Sequence, residues 1–130
     1  MSFKNILYYW IPPLTMMAVI FFLSSQQRIS VSDVYSVNFL FFKSLHVIEY
    51  AILYFLVFRG FYNTLSRENM RKIFILAFVT TIAFAISDEL HQTFVPTRSG
   101  ALRDIFIDSL GILLCFQYTK MNLVKLRHLL

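Results

Sequence analysis

The chain has 130 residues, of which 58% are hydrophobic and only 15% are charged. A soluble domain carries about 25% charged residues, and a globule of this size has too little interior to bury 15 Phe and 7 Tyr. The composition therefore predicts an integral membrane protein. The net charge of +5 is interpreted as the Lys and Arg bias of a membrane topology, because no nucleic-acid-binding motif accompanies it.

Four apolar segments predict four membrane-spanning helices, at about residues 6–23, 39–58, 73–95 and 101–118. The first two have the length of about 20 residues that a span requires, whereas the other two reach it only if their polar ends are helical. Three spans with a re-entrant third loop are the alternative. A cleaved signal peptide is a further alternative for the first segment, disfavoured by its long apolar run. The predicted fold is an all-α four-helix bundle in a single transmembrane domain.

The distribution of Lys and Arg predicts the orientation of this bundle. With four spans, eight Lys and Arg residues lie on the side of the two termini and four, including Arg28, lie on the other side. The positive-inside rule then places both termini in the cytoplasm. The second helix begins, the third ends and the fourth begins on the extracytoplasmic side, so these three helix ends are expected to meet.

Ionisable and polar residues collect at those three helix ends. An ionisable group in or near hydrocarbon is costly, so such a cluster marks a candidate functional site. The candidate catalytic residues are His46, Glu49, Glu89, Asp104 and Asp108. The candidate ligand-binding residues are Lys43, Tyr50, Gln92 and Arg98.

Residue spacing suggests how the second and fourth helices contribute. His46, Glu49 and Tyr50 share one helix face. This face is interpreted either as a His–Glu hydrogen bond that locks helices together, or as a site for protons, a metal or a headgroup. Asp104 and Asp108 lie one turn apart and repel each other unless a cation, a metal or a proton compensates. For Asp104, a helix N-cap or a favourable interaction with the helix dipole is the alternative.

Four polar residues end the third helix. Residues three apart share a helix face, which gives the pairs Asp88–His91 and Glu89–Gln92. One pair can then point inward while the other faces the membrane interface. An ordinary solvated helix end is the alternative.

The turn at residues 96–100 displays Arg98, whose guanidinium suits either a carboxylate or a phosphate. No His or Cys spacing specific to a metal site occurs, so no metal and no other cofactor is predicted.

Taken together, these residues resemble the VanZ-like family of small multi-pass bacterial membrane proteins. The matching motifs are Ser24-Ser25-Gln26, Lys43-x-x-His46-x-x-Glu49-Tyr50, Glu89-x-x-Gln92-x-x-x-Pro96-x-Arg98 and Asp104-x-x-x-Asp108-x-x-Gly111. The resemblance covers about residues 6 to 118 and implies the bacterial plasma membrane. The founding member of the VanZ-like family is associated with low-level teicoplanin resistance. The chain departs from the family pattern at Thr97, Arg103 and Asp108, where glycine, an acidic residue and asparagine are common.

The sequence favours two functions. The first is a non-enzymatic envelope protein that binds a membrane lipid, a lipid-linked envelope precursor or a glycopeptide-related ligand through Lys43 and Arg98. The second is an intramembrane enzyme acting on a phospholipid or polyprenyl phosphate, with His46 or Glu49 as the base and Arg98 as the anion stabiliser. A transporter or channel is a further alternative, as is a purely structural role for interhelical hydrogen bonds.

Overall fold

The computed structural model describes residues 3–26, 33–96, 98 and 100–130; Arg28 and Thr97 lie outside the described residues. Within the described part of the chain there are four α-helices and one 3₁₀ helix, and the predicted all-α, four-helix fold is confirmed. The elements are α1 (Phe3–Ser24), α2 (Tyr35–Thr64), the 3₁₀ helix (Arg67–Asn69), α3 (Met70–Gln92) and α4 (Leu102–Leu126).

Helix α2 is the central element, because it packs against each of the other three helices. Helix α4 packs against α2 and α3, whereas α1 packs mainly against α2. Helices α1 and α3 run in one direction, and α2 and α4 run in the other. The C-termini of α1 and α3 therefore lie at the same end of the bundle as the N-termini of α2 and α4. We call this end the polar end and the opposite end the basic end.

Within the described residues, three helical segments are long and apolar enough to cross a membrane: α1, α2, and the segment Arg67–Gln92 that contains α3. Their outward faces are apolar, with Leu14, Val79 and Ile86 all exposed, as contact with lipid tails requires. Helix α4, whose 25 residues include five charged ones, is not among them. Its role as a fourth span stays a prediction, as does the cytoplasmic placement of the termini.

Several predicted helix ends are wrong. Helix α3 ends at Gln92 rather than at residue 95, because the next three backbone N–H groups donate to carbonyls only three residues earlier. Pro96 also disfavours a helical conformation of the residue before it. Helix α2 has 30 residues and α4 continues to Leu126. Both exceed their apolar runs because ordinary polar residues extend a helix at little cost.

The aromatic part of the apolar core lies mainly in the half of the bundle nearer the basic end. Phe58 of α2 packs on Phe74 of α3 with ring centroids 4.7 Å apart. Phe116 of α4 meets Phe74 and Tyr54 edge to face, at 5.6 and 6.1 Å. Such offset and edge-to-face geometries are the favourable ones for aromatic rings. This core holds α2, α3 and α4 together and leaves the polar end to be stabilised by other contacts.

Helices α2 and α4 approach closely at Gly111. A Cβ atom at this position would clash with the backbone carbonyl of Val47 on α2. Small residues permit such close approach of helix backbones in membranes. Because Asp108 lies one turn before Gly111, this approach also brings Asp108 next to His46 of α2.

We expect Gly111→Ala to be less stable than the matched variant Gly60→Ala by about 1–3 kcal/mol, the usual cost of overpacking. Both changes gain the same helix propensity. At Gly60, however, the added Cβ would lie 3.3 Å from the Trp10 ring, and this side chain can shift. The measurement is the free energy of unfolding of both variants in mixed micelles. Equal stability of the two would show that the α2–α4 contact is not tight.

Candidate functional site

A buried ion pair joins the N-terminal parts of α2 and α4. Lys43 Nζ lies 2.7 Å from Asp104 Oδ2, and their side chains are 16% and 5% exposed. Arg103, which is 63% exposed, approaches the other Asp104 oxygen at 3.5 Å. The N-cap of α4 is Ala101, and it makes no side-chain cap hydrogen bond. Asp104 is therefore not the N-cap, but it lies in the first turn of α4, where the helix dipole favours its charge. Lys43 is its charge partner.

Further along the same two helices, His46 faces two carboxylates. Its Nδ1 lies 3.7 Å from Asp108 Oδ1 and 3.8 Å from Glu49 Oε2. Both distances are too long for a hydrogen bond, so the alternative of a His46–Glu49 hydrogen bond is not realised. Among the described residues, neither Asp108 oxygen nor His46 Nδ1 has a hydrogen-bond partner, although all three atoms are buried. Such atoms are rare in native proteins, which makes this the least satisfied part of the site.

A second cluster surrounds Asp88 of α3, which is fully buried. Its Oδ2 accepts hydrogen bonds from Ser24 Oγ at 2.8 Å, Gln92 Nε2 at 3.0 Å and Tyr50 OH at 3.4 Å. One carboxylate oxygen thus connects α1, α2 and α3. Asp88 and Ser24 were absent from the candidate set. The spacing of four between Asp88 and Gln92, together with the serine that ends α1, is the sequence signal that could have found them.

Three of the four polar residues at the end of α3 point into the protein: Asp88, Glu89 and Gln92. The expectation that one pair would face the interface is wrong, because Gln92 bonds to Asp88 one turn earlier and must share its face. His91 is partly exposed and stacks on Phe21 of α1, with ring centroids 4.0 Å apart.

Glu89, a predicted catalytic candidate, holds the start of α4. Its Oε2 accepts a hydrogen bond from the backbone N–H of Ala101 at 3.0 Å. Gly100 passes so close to the Glu89 carbonyl that a Cβ atom would clash with it. The N-terminal N–H groups of a helix lack partners within the helix, so this contact stabilises the junction between α3 and α4.

Arg98 ties the loop before α4 to the end of α1. Its Nε and Nη2 donate to the backbone carbonyls of Gln26 and Leu23, at 2.8 and 3.0 Å, and its Nη1 donates to Gln92 Oε1 at 3.3 Å. The last carbonyls of a helix lack partners within the helix and carry partial negative charge, so a guanidinium stabilises them. Arg98 therefore caps the C-terminus of α1.

A cavity of about 200 Å³ lies between these groups; we call it the polar-end cavity. Three of the nine predicted site residues, His46, Glu49 and Arg98, line it. The remaining lining is Ser24 and Gln26 on the polar side, with Ile20, Leu23, Phe42 and Leu45 on the apolar side. The cavity therefore combines an acid, a base and a cation with hydrocarbon.

The acidic residues of this end are not arranged around a common point. Within the described ranges of the chain, no three His, Cys, Asp or Glu side chains are placed to hold a metal ion. The prediction of a site without a metal or other cofactor stays a prediction.

The model of the VanZ/LLP1 family matches residues 4–122. The chain belongs to the VanZ/LLP1 family. No curated protein and no solved structure matches it. The family match confirms the resemblance that the motifs indicated. A family of membrane proteins is also consistent with the three helical segments of this VanZ/LLP1 protein that are long and apolar enough to cross a membrane.

A double-mutant cycle tests the buried ion pair. Lys43→Met and Asp104→Asn should each lower the free energy of unfolding by about 3–5 kcal/mol, because each leaves a buried charge without its partner. The double variant should recover most of that loss. Arg103→Met is the control, since an exposed pair contributes about 0–1 kcal/mol. Losses that simply add in the double variant would contradict the pairing.

Proposed function

We propose that this VanZ/LLP1 protein binds an envelope lipid in the polar-end cavity, in the plasma membrane of a bacterium. The two-sided lining of the cavity is the observation that carries the proposal. Ile20, Leu23, Phe42 and Leu45 offer hydrocarbon, whereas His46, Glu49 and Arg98 offer charge and hydrogen bonds. An amphipathic ligand with a polar headgroup and an apolar chain satisfies both sides.

The contacts within the site limit which lipid headgroups could bind in the cavity. Lys43 is already paired with Asp104 at 2.7 Å, so its predicted part in binding an anion is not supported. Glu49 is 23% exposed and is the most accessible carboxylate of the site, suited to accept from hydroxyl or amine groups. Arg98 lines the cavity, and its positive charge suits a phosphate oxygen, although its N–H groups also donate to Gln26, Leu23 and Gln92. A lipid-linked envelope precursor, which carries both phosphate and hydroxyl groups, fits this pair.

The proposed biological effect of lipid binding rests on membership of the family alone. An effect on susceptibility to teicoplanin is proposed here because the founding member of the VanZ-like family is associated with resistance to it. The polar-end cavity would have to open to the outer leaflet, which agrees with the orientation predicted from the Lys and Arg residues.

Filling the cavity should prevent lipid binding. We expect Leu45→Trp and Arg98→Gln each to weaken the retention of a polyprenyl phosphate by about tenfold. The first change occupies the apolar side of the cavity, and the second removes the cation suited to a phosphate oxygen. Leu40→Trp is the matched control, because Leu40 is 64% exposed on the same helix and does not line the cavity. Native mass spectrometry of the purified chain measures bound lipid, and equal retention by all four proteins would refute the proposal.

An intramembrane enzyme acting on a phospholipid or polyprenyl phosphate is the second candidate, favoured by one specific feature. His46 lines the cavity while its Nδ1 faces Asp108 at 3.7 Å. A carboxylate in this place stabilises an imidazolium after the ring accepts a proton from a hydroxyl group or water. Arg98 lines the same cavity and is suited to stabilise charge that develops on a phosphate.

If the protein is an enzyme, His46→Gln should lower the turnover of a polyprenyl phosphate or phospholipid by about 10²–10⁴-fold, the usual contribution of a general base. His91→Gln is the matched control, because His91 belongs to the same end but does not line the cavity. Product formation is followed by mass spectrometry of the lipids. Turnover that survives His46→Gln would reject this candidate and leave lipid binding untouched.

A further inference from the structure

The basic end of the bundle contains a second cavity, of about 330 Å³; we call it the basic-end cavity. It lies where α2 ends, α3 begins and α4 ends. Its lining residues are Tyr62, Arg67, Met70, Leu123, Arg127 and Leu130. From His46 to Tyr62, α2 rises about 24 Å, so this cavity is separate from the polar-end cavity and independent of the function proposed for it.

Positive charge is concentrated at the end of the bundle where this cavity lies. Among the described residues, Glu68 is the one acidic residue at the basic end. The cations there are Lys4, Arg59, Arg67, Arg71, Lys72, Lys120, Lys125 and Arg127. Basic residues clustered beside membrane-spanning helices attract anionic lipid headgroups.

Neutral contacts hold one guanidinium at the wall of this cavity. Arg67 lies over the Tyr62 ring, 4.4 Å from its centroid, and its Nη2 donates to Asn63 Oδ1 at 3.4 Å. The Asn63 amide also donates to the Leu130 carbonyl at 2.8 Å. Within the described residues, neither Arg67 nor Arg127 forms an ion pair with an acid. These contacts orient the guanidinium without neutralising it, which leaves its fork able to bind phosphate oxygens.

The remaining lining suits a lipid better than a free ion. Met70, Leu123 and Leu130 give the cavity an apolar side, which an inorganic anion does not use. Met70 is also the first residue of α3, so the positive end of this helix dipole lies at the cavity. The backbone of α4 departs from helical geometry at Asn122, with φ −114° and ψ 19°, just before Leu123.

We propose that the basic-end cavity binds the phosphate group of an anionic phospholipid, with Arg67 and Arg127 as the cationic contacts. The apolar side chains contact the glycerol and the first methylene groups. A volume of about 330 Å³ is at the lower end of the range for small-molecule sites, which suits a headgroup whose acyl chains remain in the bilayer.

The test compares phosphatidylglycerol with phosphatidylcholine of the same acyl chains, using native mass spectrometry of the purified full chain. Wild type should prefer phosphatidylglycerol by about tenfold or more, since each basic contact is worth about fivefold. The double variant Arg67→Gln, Arg127→Gln should lower this preference to about twofold. The matched control is Arg71→Gln, Lys72→Gln. It removes the same net charge from exposed positions at the same end and should keep the preference.

A second variant keeps the test decisive if the arginine variant does not fold. Leu123→Trp fills the cavity, retains both arginines and should also abolish the preference. An unchanged preference for phosphatidylglycerol in Leu123→Trp would overturn the proposal. An equal loss of preference in the two charge variants would also overturn it, because general surface charge would then explain the preference. Inorganic phosphate at the same concentration should not displace phosphatidylglycerol. Full displacement would identify free phosphate as the ligand and overturn the lipid assignment.

Discussion

A carboxylate buried in a bundle with an apolar exterior is stable only where a cation or hydrogen-bond donors meet it. Four acidic side chains at the polar end are at most 5% exposed, and three of them have such partners. These contacts join the ends of all four helices: a lysine meets Asp104, the α4 backbone meets Glu89, and donors from three helices meet Asp88. Asp108 is the exception, and it lies beside His46 at the edge of the polar-end cavity.

Helix α2 contributes lining residues to both cavities, one at each end of the bundle. Its 30 residues span about 45 Å, which exceeds the roughly 30 Å of bilayer hydrocarbon. The helix is therefore long enough for both of its ends to reach the headgroup regions. The polar-end and basic-end cavities are about 24 Å apart along this helix, with the aromatic core between them. The fold thus holds a cavity lined by an acid, a base and a cation at one end of the bundle and a basic cavity at the other.

Much of this arrangement was predictable, and the errors have identifiable causes. Apolar run length and the alternation of crossings gave four helices and the meeting of their polar ends. Spacing along one helix could not show that Glu89 would meet a backbone N–H of the next element, or that Arg98 would cap α1. Both contacts are made to backbone atoms, which every residue has, so the order of side chains along the chain does not predict them. The importance of Asp88 was missed for a related reason, since two of its three donors come from other helices.

The sequence by itself determined that the protein is a helical membrane protein of the VanZ/LLP1 family, because hydrophobic run length, charge distribution and motif order are properties of the chain read in one dimension. Only the tertiary structure decided how each helix is rotated about its axis. That rotation depends on close packing, above all where Gly111 meets the backbone of α2. It brings His46, Glu49 and Arg98 to one cavity and leaves other predicted site residues in structural contacts, because each buried polar atom must be satisfied by whichever neighbour the packing supplies.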